Sequence, residues 1–285
     1  MKVSFTKMHG CGNDYIYFNG FEYEIVEPEV LAVSLSNRHF GIGGDGIVLI
    51  LPSIVADAKM RMFNIDGSEG KMCGNAIRCV AKYLYDNSII LKEEMTIETL
   101  SGIKTLLLII EDGKVLRVKV DMGKAEFLAK KIPVSFNKER VIDESIRILD
   151  KDYKITCVSM GNPHAVVFMD EIDSLELEKI GPVFENHSAF LERINTEFIE
   201  IIERNHIRMR VWERGSGETM ACGTGACGAV AAAVINGYCD EDTEILVELR
   251  GGEITICYTK EAVFMTGGCK TVFDGVVDIG GNYVN

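Results

Sequence analysis

The hydrophobic positions of this 285-residue chain recur mostly at every second residue, which is the period of half-buried β-strands. Turn pairs such as Asp112-Gly113 and Gly251-Gly252 separate neighbouring segments and favour antiparallel hairpins. In the first part of the chain, the pattern predicts strands over residues 2–8, 15–19, 46–51, 58–63, 95–98, 104–110 and 115–121. In the second part, it predicts strands over residues 155–159, 164–169, 195–201, 207–213, 243–249, 253–259, 262–266 and 272–279.

A helical period is confined to residues 28–38, 75–86, a stretch near 173–180, and 223–236. The last of these segments is apolar almost all round, which predicts a helix buried on every side. Because strands surround one central helix in each half, we interpret the chain as a tandem duplication of two similar domains that close on a cleft. The hinge is expected near residues 121–125, and the charged stretch 130–152 is interpreted as a solvated insertion.

The composition is that of an ordinary globular protein, with 47% hydrophobic and 26% charged residues. A net charge of −13 without any basic stripe argues against nucleic acid or an anionic membrane as a partner and favours a small molecule. The N-terminus lacks the apolar segment of a signal peptide, and the longest apolar runs are too short to span a membrane. We therefore expect a cytoplasmic protein.

Nine cysteines are scattered without CxxC pairs, so they predict neither a disulfide framework nor a zinc site. Cys157, Cys239, Cys257 and Cys269 are expected to be buried as small hydrophobic residues. Five scattered histidines lack metal-ligand spacing, and we expect no metal. Residues 41–46, GIGGDG, match the dinucleotide pattern only formally, because a predicted helix precedes them and a predicted strand follows.

Two segments carry the strongest chemical signal: GSEGKMCGNA at residues 67–76 and GSGETMACGTGA at residues 215–226. Each places a cysteine, Cys73 or Cys222, at the start of a predicted helix. The N–H groups of a helix N-terminus attract carboxylates and favour the thiolate form of a cysteine. The two thiols could form an acid/base pair, a redox pair or a metal pair, or could be buried structural residues.

A set of amide and charged side chains falls at strand ends and in glycine-rich turns. Its members are Asn13, Asn64, Asn75, Asn162, Asn195, Glu213 and Arg214. Any one of the asparagines is adequately explained as a turn former. Together they indicate a binding site for a molecule with amino and carboxylate groups at both ends, which favours the acid/base interpretation of the thiols.

These motifs together resemble the diaminopimelate epimerase family. The resemblance rests on KMHGCGNDY at residues 7–15, the CGN and CGT signatures at Cys73 and Cys222, GNPH at 161–164 and ERGSGET at 213–219, in the right order along the chain. It implies an α/β (α+β) fold of two similar pseudo-symmetric domains, each a barrel-like, mainly antiparallel sheet around a central helix. The C-terminal strand returns to the first domain, so the expected domains are residues 1–121 plus 269–285 and residues 122–268.

The resemblance also implies a homodimer that needs no cofactor and a set of site residues. Cys73 and Cys222 match the family's acid/base thiols, and His164 and Glu213 match the residues that tune them. The substrate-binding positions are Asn13, Asn64, Gly74, Asn75, Asn162, Asn195, Glu213, Arg214, Gly223 and Thr224. The chain departs from the family at Gly46, where a glutamine is often found, and at Cys11, which replaces an aliphatic residue.

We therefore expect cofactor-independent epimerisation of LL-diaminopimelate to the meso isomer, a step toward lysine and peptidoglycan precursors. One thiolate removes the α-proton and the other thiol delivers a proton to the opposite face. A racemase of another amino acid on the same scaffold is the nearest alternative. A non-enzymatic amino-acid-binding or thiol redox protein is the other.

Overall fold

The computed structural model of this protein describes residues 2–280. The chain divides into two units: unit 1 combines Met1–Val120 with Gly267–Asn285, and unit 2 is Asp121–Thr266. Unit 1 begins with β1 (Lys2–Gly10), β2 (Asn13–Asn19), α1 (Pro28–Ser36), β3 (Gly46–Leu51), β4 (Ala58–Asn64), β5 (Glu69–Gly70), α2 (Gly74–Asp86), β6 (Glu94–Thr99), β7 (Gly102–Glu111) and β8 (Lys114–Asp121).

Unit 2 repeats this order of elements with one additional strand, β9, at its start. It contains β9 (Glu144–Ile148), β10 (Lys151–Ser159), β11 (Pro163–Phe168), α3 (Leu177–Glu185), β12 (Asn195–Glu203), β13 (His206–Glu213), β14 (Gly217–Glu218), α4 (Gly223–Ile235), β15 (Glu244–Leu249) and β16 (Gly252–Tyr258). Strand β17 (Val263–Gly268) follows, and the last strand, β18 (Lys270–Asp278), pairs antiparallel with β1 in unit 1.

The strand pairings of the two units correspond one to one over the part that carries the candidate site. In unit 1, β2 pairs parallel with β3, β3 antiparallel with β4, and β4 with β5 and β6. In unit 2, β11 pairs parallel with β12, β12 antiparallel with β13, and β13 with β14 and β15. The duplication predicted from the sequence is therefore visible in the strand register.

A central helix packs against the strands of each unit. Helix α2 contacts β1, β2 and β7, and α4 contacts β10, β11, β12 and β16. Every residue of α4 from Gly223 to Ala233 is buried except Thr224, which confirms the prediction of a helix buried nearly all round. Small residues, mostly alanine and glycine, let the surrounding strands approach this helix closely.

The predicted strands and helices are present, with some changes at their ends. The third helix begins at Leu177, later than predicted, because Ile172–Ser174 forms a separate 3-10 turn. Three short strands, β5, β9 and β14, escaped prediction. Cys157, Cys239 and Cys269 are buried as expected, but Cys257 is only partly buried.

The interpretation of residues 130–152 as a solvated insertion is wrong. This stretch contributes Ile132, Val134, Val141, Ile146 and Ile148 to the hydrophobic core of unit 2, and it contains β9, which pairs antiparallel with β10. Its charged residues alternate with apolar ones, so the charges face outward while the apolar side chains are buried.

Truncation of Ile148 tests this correction. Ile148 is 1% exposed, so Ile148→Ala should lower the free energy of unfolding by about 2–5 kcal/mol through lost burial and a residual cavity. The adjacent Arg147, which makes an exposed ion pair with Asp152, is the matched control: Arg147→Ala should change stability by no more than about 1 kcal/mol. Urea titration followed by circular dichroism measures both, and equal midpoints for the two variants would restore the solvated interpretation.

Candidate active site

The first candidate half-site lies in unit 1, at the start of α2. Cys73 is the N-cap residue, with extended backbone (φ −133°, ψ 122°), and its Sγ accepts a hydrogen bond from the Ala76 amide at 3.5 Å. The Cys73 thiol also donates to Asn13 Oδ1 at 3.2 Å. The sulfur therefore lies among the first N–H groups of a helix, where the macrodipole presents partial positive charge.

Asn13 is held in place by an ionic network behind it. Its Nδ2 donates to Asp45 Oδ2 at 2.7 Å, and the Asp14 amide donates to the same oxygen at 3.1 Å. Arg38 bridges the two carboxylates, with Nη2 2.7 Å from Asp14 Oδ1 and 3.0 Å from Asp45 Oδ1. Because Asp45 engages the amide NH₂ group, the carbonyl oxygen of Asn13 is the atom that faces Cys73.

Arg78 provides a fully buried cation on the second turn of α2. Its guanidinium donates to Gly74 O at 3.0 Å and to Asn75 Oδ1 at 2.9 Å, within the same helix. Cys11, which has a left-handed backbone (φ 51°), lies with its Sγ 3.8 Å from Arg78 Nη2. Burial raises the pKa of Cys11, although the charge of Arg78 opposes this, so the extra sulfur of this chain rests as a thiol at neutral pH.

Asn64 and Gly46 lie opposite each other on β4 and β3. The Asn64 Nδ2 donates to Ser68 Oγ at 3.0 Å. At Gly46 the backbone has φ +156°, and a Cβ atom would lie 2.0 Å from Phe63 O and 2.9 Å from Tyr15 Cε1. No side chain fits there, so the departure from the family at Gly46 is required by backbone packing in this chain.

The second candidate half-site lies in unit 2, where Cys222 caps α4. Its backbone is extended (φ −116°, ψ 109°), its Sγ accepts from the Gly225 amide at 3.3 Å, and Thr224 Oγ1 lies 3.5 Å from it. Burial, followed by the negative charges of Glu213 and Glu197, raises the pKa of Cys222 well above the usual thiol range. Desolvation and the two carboxylates therefore outweigh the helix N-terminus at Cys222 and favour its thiol form.

His164 is fully buried on β11 and has a partner on each ring nitrogen. Nδ1 is 2.7 Å from Glu197 Oε1, and Nε2 is 3.0 Å from Asn162 Oδ1. The Asn162 Nδ2 in turn donates to Thr224 Oγ1 at 3.3 Å. These contacts connect His164 to the first turn of α4.

Glu213 is the last residue of β13 and accepts hydrogen bonds from Thr219 Oγ1 and from the Cys222 thiol. Burial raises the pKa of Glu213 despite these two bonds. Glu213 raises the pKa of Cys222 by its negative charge, whereas the Cys222 thiol stabilises the Glu213 carboxylate by a hydrogen bond, so the two groups titrate as a coupled pair.

Asn195 and Arg214 are joined through the backbone. Asn195 Oδ1 accepts from the Arg214 amide at 2.8 Å, and Asn195 Nδ2 donates to Pro163 O at 3.1 Å. Arg214 Nη1 donates to Glu192 O at 2.8 Å, and its other side-chain N–H groups make no hydrogen bond within residues 2–280. In this structure Asn195 fixes the backbone at Arg214, and the Arg214 side chain retains N–H groups that can donate to a ligand.

The predicted site residues thus fall into two sets, one in each unit. Direct contacts in unit 1 join Cys73, Asn13 and Asn75, with Gly74 in the same helical turn and Asn64 at the end of β4. Contacts in unit 2 join Cys222, Thr224, Asn162, His164 and Glu213, with Gly223 in the same turn and the Asn195–Arg214 pair on the adjoining strands.

Three carboxylates that organise these sets were not predicted from the sequence: Asp45, Glu185 and Glu197. Glu185 is buried and accepts from the Gly215 amide at 3.0 Å, which fixes the loop after Arg214. A signal was present for Glu197, because a period of two along β12 places it on the same face as Asn195. A charged residue on the buried face of an apolar strand needs a buried partner, because burying an unpaired charge is costly.

No cluster of metal-ligating side chains occurs within residues 2–280. No helix in that range is long and apolar enough to cross a membrane.

Comparison with known proteins gives matches over nearly the whole chain. A family model described as diaminopimelate epimerase matches residues 5–128 and 156–272, which include both cysteines. The diaminopimelate epimerase of Methanococcus maripaludis is 54% identical over 279 residues, covering 97% of this chain and 100% of the relative. That of Agathobacter rectalis is 52% identical over 286 residues, covering 97% and 100% respectively.

Among solved structures, a PhzF-family phenazine biosynthesis protein of Bacillus anthracis matches with a TM-score of 0.72. It is 18% identical and covers 98% of this chain and 100% of its own. At this identity the likeness concerns the fold alone, and it agrees with the predicted class of two similar α+β domains.

The coupled pair of Glu213 and Cys222 gives a prediction with a definite sign. Glu213→Gln removes a negative charge beside the thiol, so the pKa of Cys222 should fall and its alkylation should begin at lower pH. Mass spectrometry of the Cys222 peptide after timed iodoacetamide treatment across a pH series measures this shift. Glu203→Gln, at the exposed end of β12, is the control and should leave the profile in place; an unchanged profile in Glu213→Gln contradicts the coupling.

Proposed function

This chain belongs to the diaminopimelate epimerase family, and we propose from that premise that Cys73 and Cys222 are the two acid/base groups of its reaction. The protein is an isomerase that interconverts the LL and meso forms of diaminopimelate. The observation that carries the two-thiol assignment is the repeated cap: each thiol is the N-cap of its unit's central helix and accepts from an amide of the first turn.

The two helix N-termini help to overcome the main chemical difficulty of the reaction, which is the weak acidity of the α-proton. The α-proton of an amino acid is a very weak acid, and many enzymes use a cofactor as an electron sink. Here the α-carboxylate is bound by the amides of Gly74 and Asn75 in α2 and of Gly223 and Thr224 in α4. Two helix N-termini stabilise the negative charge that spreads into the carboxylate as the proton leaves. This is the basis for proposing that no cofactor takes part.

The proton transfers need the two thiols in different states. The raised pKa of Cys222 makes it the protonated member at neutral pH, so we propose that Cys73, once its thiol has lost its proton, acts as the base. Cys73 takes the α-proton, the carbanion keeps the electron pair, and Cys222 protonates the opposite face. Cys73 ends as a thiol and Cys222 as a thiolate, which are the states that the reverse reaction requires.

The remaining polar residues of the site bind the distal half of the substrate. Arg214 has donors available for the distal carboxylate, and we propose that Glu213 holds an amino group. Asn64 and Asn162 supply amide groups, while Asn195 fixes the backbone of Arg214. A substrate without the distal amino-acid group leaves these donors unpaired, which can reduce kcat/KM by about 10⁴–10⁵-fold. We therefore propose poor activity on alanine and lysine.

A reducing compartment fits the mechanism, because an oxidised thiol can neither take nor give a proton. We accordingly place the reaction in the cytoplasm.

We also propose that the protein is a homodimer and that β18 is part of its interface. Strand β18 pairs with β1 and is exposed along most of its length. Its apolar residues Val272, Phe273 and Val276 are 55%, 46% and 62% exposed, which is unusual for one short strand. Pairing with a second copy of the chain about a two-fold axis buries such a patch on both subunits.

Proton NMR of LL-diaminopimelate with reduced enzyme in D₂O, without added cofactor, tests the reaction. The meso isomer should form with deuterium at the new centre while residual early substrate stays protiated. Cys73→Ala and Cys222→Ala should each lose at least about 10²-fold in rate, since each removes one proton-transfer group. Cys239→Ala, a buried cysteine outside both half-sites, is the control.

Three outcomes contradict the proposal in different ways. Turnover that survives in Cys73→Ala excludes the two-base scheme. Comparable rates on alanine or lysine exclude the distal recognition. Absence of any α-proton exchange with the unaltered enzyme removes the epimerase assignment and leaves amino-acid binding to be tested.

Sedimentation equilibrium tests the dimer. Val272→Lys with Val276→Lys places two charges on the β18 patch and should yield a monomer, because buried unpaired charges disfavour association. Leu191→Lys, at an exposed aliphatic residue of unit 2, should leave the molecular mass of the assembly unchanged. A dimer that persists in the β18 variant locates the interface elsewhere, and a monomeric unaltered protein refutes the homodimer.

A further inference from the structure

The carboxylate of Glu185, the last residue of α3, binds three donors from different parts of unit 2. Its Oε2 accepts from Trp212 Nε1 at 2.8 Å, and its Oε1 accepts from the Gly215 amide at 3.0 Å. Arg193 Nη1 donates to the same Oε1 at 2.9 Å. Glu185 is 6% exposed, so this is a buried carboxylate with both oxygens satisfied.

The chemistry of the partners fixes the direction of all three bonds. An indole N–H, a backbone N–H and a guanidinium can only donate, so both oxygens of Glu185 accept. A glutamine here would have to turn its NH₂ group either toward the Trp212 indole or toward the Gly215 amide and Arg193. In either orientation two donors would face each other, so the position requires a carboxylate.

These contacts fix Arg214 from two sides. On the backbone side, Asn195 Oδ1 accepts from the Arg214 amide, and Glu185 accepts from the amide of the following residue. On the side-chain side, Arg214 Nη1 donates to Glu192 O at 2.8 Å. The residue after Glu192 is Arg193, which Glu185 holds by an ion pair. One carboxylate thus orders both the loop that carries Arg214 and the turn that accepts its guanidinium.

Helix α3 makes room for this arrangement. A Cβ at Gly181 would lie 2.2 Å from Trp212 Cδ2, so the indole ring packs directly against the helix at that point. Glu185 lies four residues later on the same face, where it accepts from the ring nitrogen. Trp212 is part of the hydrophobic core of unit 2. Strand β13 is therefore anchored one residue before its end at Glu213, next to Arg214.

Unit 1 has a similar helix without these groups. Helices α1 and α3 are both nine residues long, and both bury their first, fifth, eighth and ninth residues. The ninth residue of α1 is Ser36, whose buried hydroxyl has no partner within residues 2–280. The last residue but one is Phe63 in β4 and Trp212 in β13, and the residue after each strand is Ile65 and Arg214 respectively. The carboxylate, the indole and the arginine thus occur together in unit 2, which indicates a common role.

We propose that Glu185 is a positioning residue, which fixes the guanidinium of Arg214 in the orientation that binds the distal carboxylate of the substrate. This inference rests on the proposed role of Arg214 in recognising that group. Arg214 is a long side chain on a loop, and ordering such a side chain when a ligand binds costs conformational entropy. Contacts that fix its backbone and one of its N–H groups in advance leave the other N–H groups oriented for a ligand.

Glu185→Gln tests the proposal, because it keeps the size of the side chain but leaves at least one donor without an acceptor. We expect kcat/KM for LL-diaminopimelate to fall by about 10–100-fold, mainly through KM, as hydrogen bonds to a charged group are lost. The slow α-proton exchange of lysine should be unchanged, because lysine has no distal carboxylate for Arg214 to bind. Proton NMR in D₂O measures both rates.

The two substrates distinguish positioning from a general structural defect. Equal slowing of both substrates, or an unchanged kcat/KM for LL-diaminopimelate, overturns the proposal. Glu178→Gln, at an exposed position of the same helix, is the matched control and should alter neither rate.

The single tryptophan of the chain allows the contact itself to be followed. The indole N–H of Trp212 gives one resonance in a ¹H–¹⁵N NMR spectrum. This resonance should move upfield in Glu185→Gln, because a hydrogen bond to a charged acceptor is replaced by a weaker one or by none. Glu178→Gln should leave it in place, and an unmoved resonance in Glu185→Gln overturns the proposal.

A double-mutant cycle shows whether Glu185 acts through Arg214. Arg214→Ala removes the guanidinium, after which Glu185→Gln should add little to the loss of kcat/KM, because both changes affect one contact with the substrate. Additive losses overturn the proposal.

Arg193→Gln keeps the test decisive if Glu185→Gln folds poorly. Arg193 is 54% exposed, so its substitution spares the core and releases only the turn that holds Glu192. It should lower kcat/KM for LL-diaminopimelate, by a smaller factor than Glu185→Gln, and leave lysine exchange unchanged. In that case an unchanged kcat/KM for LL-diaminopimelate overturns the proposal.

Arg214→Ala separates this inference from the proposed function. If this variant loses the discrimination between diaminopimelate and lysine but Glu185→Gln keeps it, the distal recognition stands and the positioning role fails. If Arg214→Ala keeps the discrimination, the distal recognition is wrong and the positioning role fails with it. If the unaltered protein converts no diaminopimelate, the epimerase assignment is wrong, even where the Trp212 resonance moves as expected.

Discussion

The structure depends on how the first N–H groups of two buried helices are satisfied. A helix N-terminus leaves four amides without acceptors inside the helix, and burying them unpaired is costly. Here a cysteine sulfur caps each central helix and accepts a hydrogen bond from the amide of Ala76 in α2 and of Gly225 in α4. The same geometry that completes the helix also places a thiol beside amides that can bind a carboxylate. Fold stability and the proposed chemistry therefore rest on the same few atoms.

The repeated backbone carries opposite charges in its two copies. The first turns of α2 contain the buried cation Arg78, whereas Cys222 lies against Glu213 and Glu197. A two-base epimerisation needs one thiolate and one thiol, so two identical half-sites would be poorly suited to it. The buried charges thus differ between the two copies, while the shared caps keep both cysteines in the same geometry.

Much of this arrangement could be predicted from sequence, because helix caps, strand ends and turns have local signatures. The two cysteine motifs and the ends of β4 and β13 are of this kind. The protonation of Cys222 could not be predicted, since the helix N-terminus offers only about half a charge, and burial with two carboxylates acts against it. Strand β9 was missed because residues 130–152 are rich in Lys, Asp and Glu, although the alternating Ile146 and Ile148 carry the packing.

Gly46 shows how a departure from a family pattern can follow from packing. Its backbone approaches Phe63 so closely that a Cβ would lie 2.0 Å from the carbonyl oxygen, so a glutamine cannot be introduced there without moving β4. Asn64 is paired with Gly46 across the same two strands, and a shift of β4 would displace it. In this chain, Asn64 is the amide that the register places at this end of the strands, and Ser68 fixes its orientation.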